Sequence, residues 1–262
     1  MTRYGPRALI LGGSEGIGAG FAERLASQGF DLTLVARTQV TLDAKAAELR
    51  EHHAVQVDTE GLDLARPEAV ERVAAVIDRH AFDLVIYNAG ATHGAGLFLD
   101  RPLQHALELV ALDCATPVAV AHRALQPMRV RGRGGFILVS SMSGLVGAGY
   151  VAAYAAAKAF EIALAQGLYW EMKRSGVDVL CAVATLTDTP AMARSGVILH
   201  ADSRYPPMAP DAVAYGALEH LGRGPLWYAV GEDVARTLMA QPQREAIDQM
   251  SRASAALYGI VV

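Results

Sequence analysis

Short runs of β-branched and aliphatic residues alternate along this chain with longer stretches whose apolar positions recur at helical spacing. Arg7–Leu11, Asp31–Ala36, Ala54–Val57, Asp83–Tyr87, Phe136–Ser140 and Val177–Val183 read as strands, and a short strand near Leu226–Val230 ends the series. Between them the pattern predicts helices over Gly16–Gln28, Thr41–Glu51, a segment beginning at Pro67, Pro102–Met128 and Tyr150–Ser175. Pro67 suits a first helical turn because its missing N–H would have no partner there. Strands alternating with helices imply crossover connections, and so a parallel sheet covered on both faces. The expected fold class is α/β, a doubly wound parallel sheet of about seven strands. No repeat, low-complexity linker or composition break divides the chain, so one domain over residues 1–262 is expected. Pro190–Pro210 differs from the rest, with three prolines between Tyr205 and Pro210 and little periodicity. It follows the sixth strand, at the sheet end where such folds carry ligands, and reads as a lid over a substrate.

Composition narrows the function classes. Hydrophobic residues make up 52% and charged residues 19%, enough for a large core and too apolar for a disordered chain. A net charge of −4 gives no reason to expect nucleic acid or an anionic membrane surface as partner. Arg129, Arg131 and Arg133 sit among glycines and read as a solvated loop. Cys114 and Cys181 lie in apolar segments and read as buried reduced thiols, which fits a cytoplasmic location. Met1–Pro6 lacks the apolar stretch of a signal peptide. The uncharged run Gly134–Ala157 is long enough to span a bilayer, but Gly, Ser, Ala and Tyr break it into strand, loop and helix, so no membrane span is expected.

The first strand runs into Leu11-Gly12-Gly13-Ser14-Glu15-Gly16-Ile17-Gly18, which opens the first helix. Glycines permit a tight turn and let backbone N–H groups approach a pyrophosphate, and the helix N-terminus adds unpaired donors and the positive end of its dipole. At the end of the second strand an acidic residue would favour NAD by binding a ribose 2′-hydroxyl. Ala36 stands there, with Arg37 beside it, whose guanidinium suits a 2′-phosphate. NADP(H) is therefore favoured over NAD(H). Glu15 sits awkwardly with this reading, although Ser14 can still reach the phosphate.

Tyr154 and Lys158 are four apart on a predicted helix and share one face, and Ser141 leaves the end of the preceding strand. An ammonium beside a phenol favours the phenolate and lowers its pKa from about 10 toward the working range. Such a phenol exchanges a proton with a carbonyl or alcohol oxygen, and a serine hydroxyl bonds the same oxygen.

The spacing Gly-x-x-x-Gly-x-Gly, the strand-end Ser141 and Tyr154-x-x-x-Lys158 thirteen residues later together resemble the short-chain dehydrogenase/reductase family, from Leu11 to beyond Thr189. The resemblance implies a Rossmann-type sheet and direct hydride transfer between nicotinamide and a carbonyl carbon, with no metal. It implies Tyr154 as acid/base, Ser141 as carbonyl polariser, and Lys158 as pKa modifier and ribose anchor. It also implies that Asp63-Leu64 borders the adenine, that Asn88-Ala89-Gly90 lies against the cofactor, and that Thr187 and Thr189 lie near the nicotinamide. Tyr87 stands where relatives commonly have a second Asn, and Leu11 where they have Thr. Asp113 stands where relatives carry an Asn that holds a relay water. It is expected to accept from that water or to pair with Lys158. Pro117 lacks an N–H, so the carbonyl of Asp113 four residues earlier is expected to lose its helical partner and to take over the water. After the sixth strand Ala184-Thr185 replaces the usual Pro-Gly.

His93, Met142, Leu145, Tyr150 and Leu186 are candidate substrate contacts, with Thr92, Met192 and Tyr205 beside them. The set is mostly apolar and suits a small hydrophobic carbonyl or alcohol. The Gly-rich turn with its acidic Glu15, the Ala36-Arg37 strand end and the long helix are together loosely similar to the β-ketoacyl and hydroxysteroid reductase branch of the family. The competing reading is a catalytically weak NADP(H)-binding sensor or partner protein, kept open by Asp113 and the missing Pro-Gly. By resemblance the two long helices pair between subunits in a homodimer or homotetramer.

Overall fold

The computed structural model describes residues 4–90, 93–198 and 206–262. Seven strands form one sheet, β1 (Arg7–Leu11), β2 (Asp31–Ala36), β3 (Val57–Gly61), β4 (Leu84–Tyr87), β5 (Gly134–Ser141), β6 (Val177–Ala184) and β7 (Leu226–Tyr228). Their order is β3-β2-β1-β4-β5-β6-β7, and every pair is parallel. The chain winds outward in one direction from β1 and in the other from β4. A crevice therefore opens between the carboxyl ends of these two central strands.

Ten helices are described: α1 (Gly16–Ala26), α2 (Gln39–His52), α3 (Ala69–Arg79), α4 (Leu103–Val110), α5 (Thr116–Arg131), α6 (Ala152–Met172), α7 (Pro190–Arg194), α8 (Pro210–His220), α9 (Glu232–Ala240) and α10 (Gln243–Leu257). Successive strand residues face opposite sides. Ala8 and Ile10 join Phe21, Leu25, Leu42, Leu49, Val213 and Leu218 in one core. Leu9 and Leu11 join Val73, Val76, Val120, Leu125, Ile162 and Met172 in the other. Two-sided burial explains why the central strands are apolar throughout.

Three sequence expectations change. The third strand lies at Val57–Gly61, not Ala54–Val57. Its register is set by pairing of Leu32 with Val57 through Ala36 with Gly61, and an edge strand tolerates Asp58 and Glu60. Arg129 and Arg131 belong to the last turn of α5, which stops at Gly132 in the left-handed conformation (φ 69°). Arg131 there donates to the Phe82 carbonyl. Part of the expected lid is helical, because Pro190 begins α7 and the Thr189 hydroxyl caps it by accepting from the Met192 N–H at 3.2 Å. Residues 199–205, with Tyr205, and residue Thr92 lie outside the described residues.

The predicted long helix is interrupted. Between α4 and α5 the backbone widens into a π turn over Ala111–Ala115, where the Thr116 N–H reaches the Ala111 carbonyl. In that register Pro117 falls opposite Leu112 and offers it no donor. The buried Tyr87 hydroxyl donates to the Leu112 carbonyl instead. The compensated carbonyl is thus that of Leu112, one residue before the Asp113 carbonyl expected from an unbroken α-helix. Tyr87→Phe leaves the Leu112 carbonyl buried and unpaired and is expected to cost about 1–3 kcal/mol, read by denaturant unfolding. No described helix is long and apolar enough to cross a membrane.

Candidate active site

A cleft of about 1610 Å³ lies over the carboxyl end of the sheet. One wall is the glycine turn. The Gly12 N–H donates to the Val35 carbonyl at 2.7 Å, and the Asn88 side-chain amide donates to the Gly12 carbonyl at 2.9 Å. The turn tolerates no side chain at two positions. A Cβ on Gly12 (φ 85°) would lie 2.7 Å from the Ala89 nitrogen, and one on Gly18 only 1.8 Å from the Gly12 oxygen. No side chain caps the N-terminus of α1, so its first N–H groups face the cleft beside Ser14, Gly16 and Ile17. Gly18 packs inside the turn and does not line the cleft.

Glu15 has a role the sequence did not disclose. Its carboxylate makes a two-pronged ion pair with Arg194 at the end of α7, which ties the glycine turn to the segment after β6. Arg37 is exposed at the cleft beside Thr38 and Arg66, with no polar partner among the described residues. Asp63 accepts from the Ala65 N–H and pairs with Arg66, and the buried Leu64 accepts at its carbonyl from Thr116. Asp63, Leu64, Asn88, Ala89, Gly90, Thr187 and Thr189 all line the cleft. An uncapped helix start, a cradle that Cβ atoms would fill and an unpaired guanidinium fit a phosphorylated dinucleotide.

Ser141, Tyr154 and Lys158 line the same cleft. Ser141 ends β5, and its hydroxyl accepts from the Ser143 N–H at 3.2 Å. Tyr154 and Lys158 lie one turn apart on α6, with the ammonium 5.9 Å from the phenol ring centre. Lys158 is 4% exposed and Asp113 and Glu161 are fully buried. The Lys158 Nζ lies 3.3 Å from Asp113 Oδ1, 3.1 and 3.0 Å from the two Glu161 oxygens, and 3.3 Å from the Val139 carbonyl. Its three N–H donors therefore already meet four acceptors, and a ribose hydroxyl must compete for them. Burial alone would lower the pKa of Lys158, but Asp113 and Glu161 outweigh it and hold the ammonium charged. Asp113 pairs with Lys158 as one of the two sequence expectations held.

The Tyr154 phenol departs from its expected behaviour. Burial raises its pKa above the ordinary value. Lys158 and a hydrogen bond from Ser141 pull it down, and Asp113 and Glu161 add to the rise. The sequence reading counted the ammonium but missed Glu161, an acid three residues after Lys158 in an otherwise apolar stretch of α6.

Of the substrate candidates, His93, Met142, Leu186 and Met192 line the cleft. His93 stacks on His105 and lies 3.3 Å from Glu108, and burial lowers its pKa. Leu145 and Tyr150 do not line it. Leu145 packs on the core, and Tyr150 adopts a left-handed conformation (φ 65°) with its carbonyl accepting from the Gly96 N–H. The sequence missed an apolar wall of Val234, Leu238, Met250 and Leu257, because α9 and α10 were not predicted.

A doubly wound sheet with a glycine turn at its switch point and a Ser-Tyr-Lys set in the same cleft defines a nicotinamide-dependent oxidoreductase. The family model for short chain dehydrogenase matches residues 6–196. The chain belongs to the short-chain dehydrogenase/reductase family, enzymes that interconvert alcohols and carbonyls with NAD(P). It is 30% identical over 190 residues to a 7beta-hydroxysteroid dehydrogenase of Collinsella aerofaciens, covering 72% of each chain. It is 30% identical over 197 residues to a very-long-chain 3-oxoacyl-CoA reductase of Phaeosphaeria nodorum, covering 72% of this chain and 58% of that one. Among solved structures, a short-chain dehydrogenase from Sphingobium yanoikuyae in complex with NADPH superposes with a TM-score of 0.81 at 29% identity, covering 98% of this chain and 96% of the other.

Proposed function

We propose that the protein is an NADP(H)-dependent reductase of hydrophobic ketones and, in reverse, a dehydrogenase of the corresponding secondary alcohols. The observation that carries this reading is that Ser141, Tyr154 and Lys158 line the same cleft as Gly12, Ser14, Gly16 and Ile17 of the glycine turn. Gly12, Ser14, Gly16, Ile17 and Gly18 form the turn that holds the pyrophosphate. Arg37 takes the 2′-phosphate, Asp63 and Leu64 border the adenine, and Asn88, Ala89 and Gly90 lie along the ribose. Thr187 and Thr189 stand at the nicotinamide end. When bound, the nicotinamide supplies or accepts the hydride. In reduction Tyr154 Oη gives its proton to the carbonyl oxygen, and in oxidation it takes one from the alcohol. Ser141 donates a hydrogen bond to the same oxygen, and Lys158 supplies the positive charge that makes the phenolate attainable.

The apolar side chains Met142, Val151, Leu186, Val234, Leu238 and Leu257 favour a bulky hydrophobic substrate, as the names of the steroid and acyl relatives suggest. NADPH consumption over a series from small aldehydes to steroid ketones and β-ketoacyl thioesters tests the reading. Turnover with the bulky members supports it, and tight NADPH binding with no turnover anywhere would favour a sensor or partner protein instead. Arg37→Ala is expected to weaken NADPH about tenfold while leaving NADH unchanged, read by fluorescence titration of both. Equal loss for both cofactors would remove Arg37 from the 2′-phosphate. The exposed Leu103, Val110, Val118, Phe160 and Trp170 on α4, α5 and α6 support pairing of these helices in a homo-oligomer.

A further inference from the structure

Lys158 is shared between two buried carboxylates, and only one of them occupies a position discussed above for proton handling. Glu161 receives the Lys158 ammonium on both oxygens, at 3.0 and 3.1 Å, and is fully buried. Asp113 holds the same ammonium through Oδ1, while its Oδ2 is buried with no hydrogen-bond partner among the described residues. A bare carboxylate oxygen in that setting is costly, whereas a protonated one is not. With both acids ionised the trio carries one net negative charge; with one shared proton it is neutral. Such a cluster changes its charge as a unit.

The surroundings leave little else to set that charge. Facing Glu161 are Lys158 and Tyr154 from its own helix, Asp113 and Cys114 from the π turn, Tyr87 from β4, and Cys181 from β6. Burial holds both thiols and the Tyr87 phenol above their ordinary values, so these groups stay neutral through the neutral range. Ser140, beside Glu161 on β5, donates its hydroxyl to the Lys158 carbonyl and fixes the turn that carries the lysine. His93 also acts on Asp113, but burial lowers its pKa and leaves it neutral where Tyr154 titrates, so the variable charges there are Glu161 and Asp113.

We infer that Glu161 is a positioning residue that acts through Lys158: with Asp113 it cancels the charge Lys158 presents to Tyr154, and so keeps Tyr154 a proton-bearing phenol suited to carbonyl reduction. Reduction requires the phenol and oxidation requires the phenolate. A lysine with a single partner would favour the phenolate, but one held between two acids does so much less. Burial pushes Glu161 up to about 8, so it is ionised at the higher pH where the Tyr154 phenol titrates, and its charge acts there in full.

This inference rests on the proposed role of Tyr154, yet its test needs no substrate. Phenolate absorbance is titrated in the full-length protein and in Tyr154→Phe, and the difference isolates Tyr154. The same pair is then made in the Glu161→Gln background. The expected result is a Tyr154 midpoint about one pH unit lower in Glu161→Gln. Where an oxidisable alcohol has been found, the alkaline limb of oxidation is expected to move by the same amount. Asp113→Asn removes the other charge and is expected to move the midpoint in the same direction, which keeps the test decisive if Glu161→Gln does not fold. A midpoint that stays put or rises in a folded, NADPH-binding variant overturns the inference. Absence of turnover with a shifted midpoint would count against the proposed substrate class only.

Discussion

Tyr154→Phe is expected to lower turnover by about 10²- to 10⁴-fold while leaving NADPH affinity unchanged. The substitution removes one oxygen and keeps the ring that packs against the small apolar cluster of Ala148, Val151 and Ala155. The loss should therefore fall on kcat, because in the proposed mechanism the missing hydroxyl acts on the reacting oxygen. Steady-state NADPH oxidation with any accepted ketone, alongside NADPH fluorescence titration, separates the two effects. Retained turnover would remove Tyr154 from the proton-transfer step. Turnover lost together with NADPH binding would assign it a structural role.

The second large effect is expected at Gly18. An added Cβ meets the Gly12 oxygen at 1.8 Å and the Asn88 side-chain nitrogen at 2.7 Å. The first contact is backbone, so relief requires moving either the glycine turn or the start of α1. Gly18→Ala is expected to cost about 3 kcal/mol, shared between folding and the geometry of the turn, and to weaken NADPH roughly 100-fold. Thermal unfolding and NADPH titration read the two parts. Gly167→Ala supplies the control. Gly167 is also helical, but its added Cβ meets nothing within 4 Å, so alanine there should be neutral or mildly stabilising. Equal behaviour of the two variants would mean that the turn relaxes freely.

Much of this site can be read from the chain, for reasons that differ by residue. The strands of the buried sheet announce themselves because both faces need apolar side chains, as in Ala8–Leu11 and Leu84–Tyr87. Gly12, Ser141, Tyr154 and Lys158 are legible because their chemistry depends on short spacings that a sheet end and one helical turn preserve. Glu161 is legible in principle by the same helical rule, as a lone acid among alanines and isoleucine. Its importance depends on Asp113 arriving from forty-eight residues earlier in the chain, which no local pattern records. Val57–Gly61 escaped for a related reason. Asp58, Glu60 and Gly61 disfavour a strand, and pairing with β2 decides their conformation. Helices α9 and α10 carry few large apolar residues, yet Val234, Leu238, Met250 and Leu257 from them line the cleft. Tyr150 is a candidate substrate contact in the sequence, but its left-handed backbone belongs to the loop entering α6.

The central seam of the sheet joins strands that are distant in the chain, since Ala8 pairs with Leu84 and Leu11 with Tyr87. Strand β2 can settle against β1 soon after both have been synthesised, whereas the seam must wait for β4 and for the entropy of closing a long loop. Until then the glycine turn exists as sequence without the Asn88 brace that shapes it. The dinucleotide consequently recognises the assembled centre of the molecule and no early fragment of it. A ligand of that kind adds its binding energy to the native state alone, about 2.7 kcal/mol at a free concentration one hundred times its Kd. In a cell, the supply of cofactor then helps to determine how much of this chain survives quality control as well as how fast it turns over.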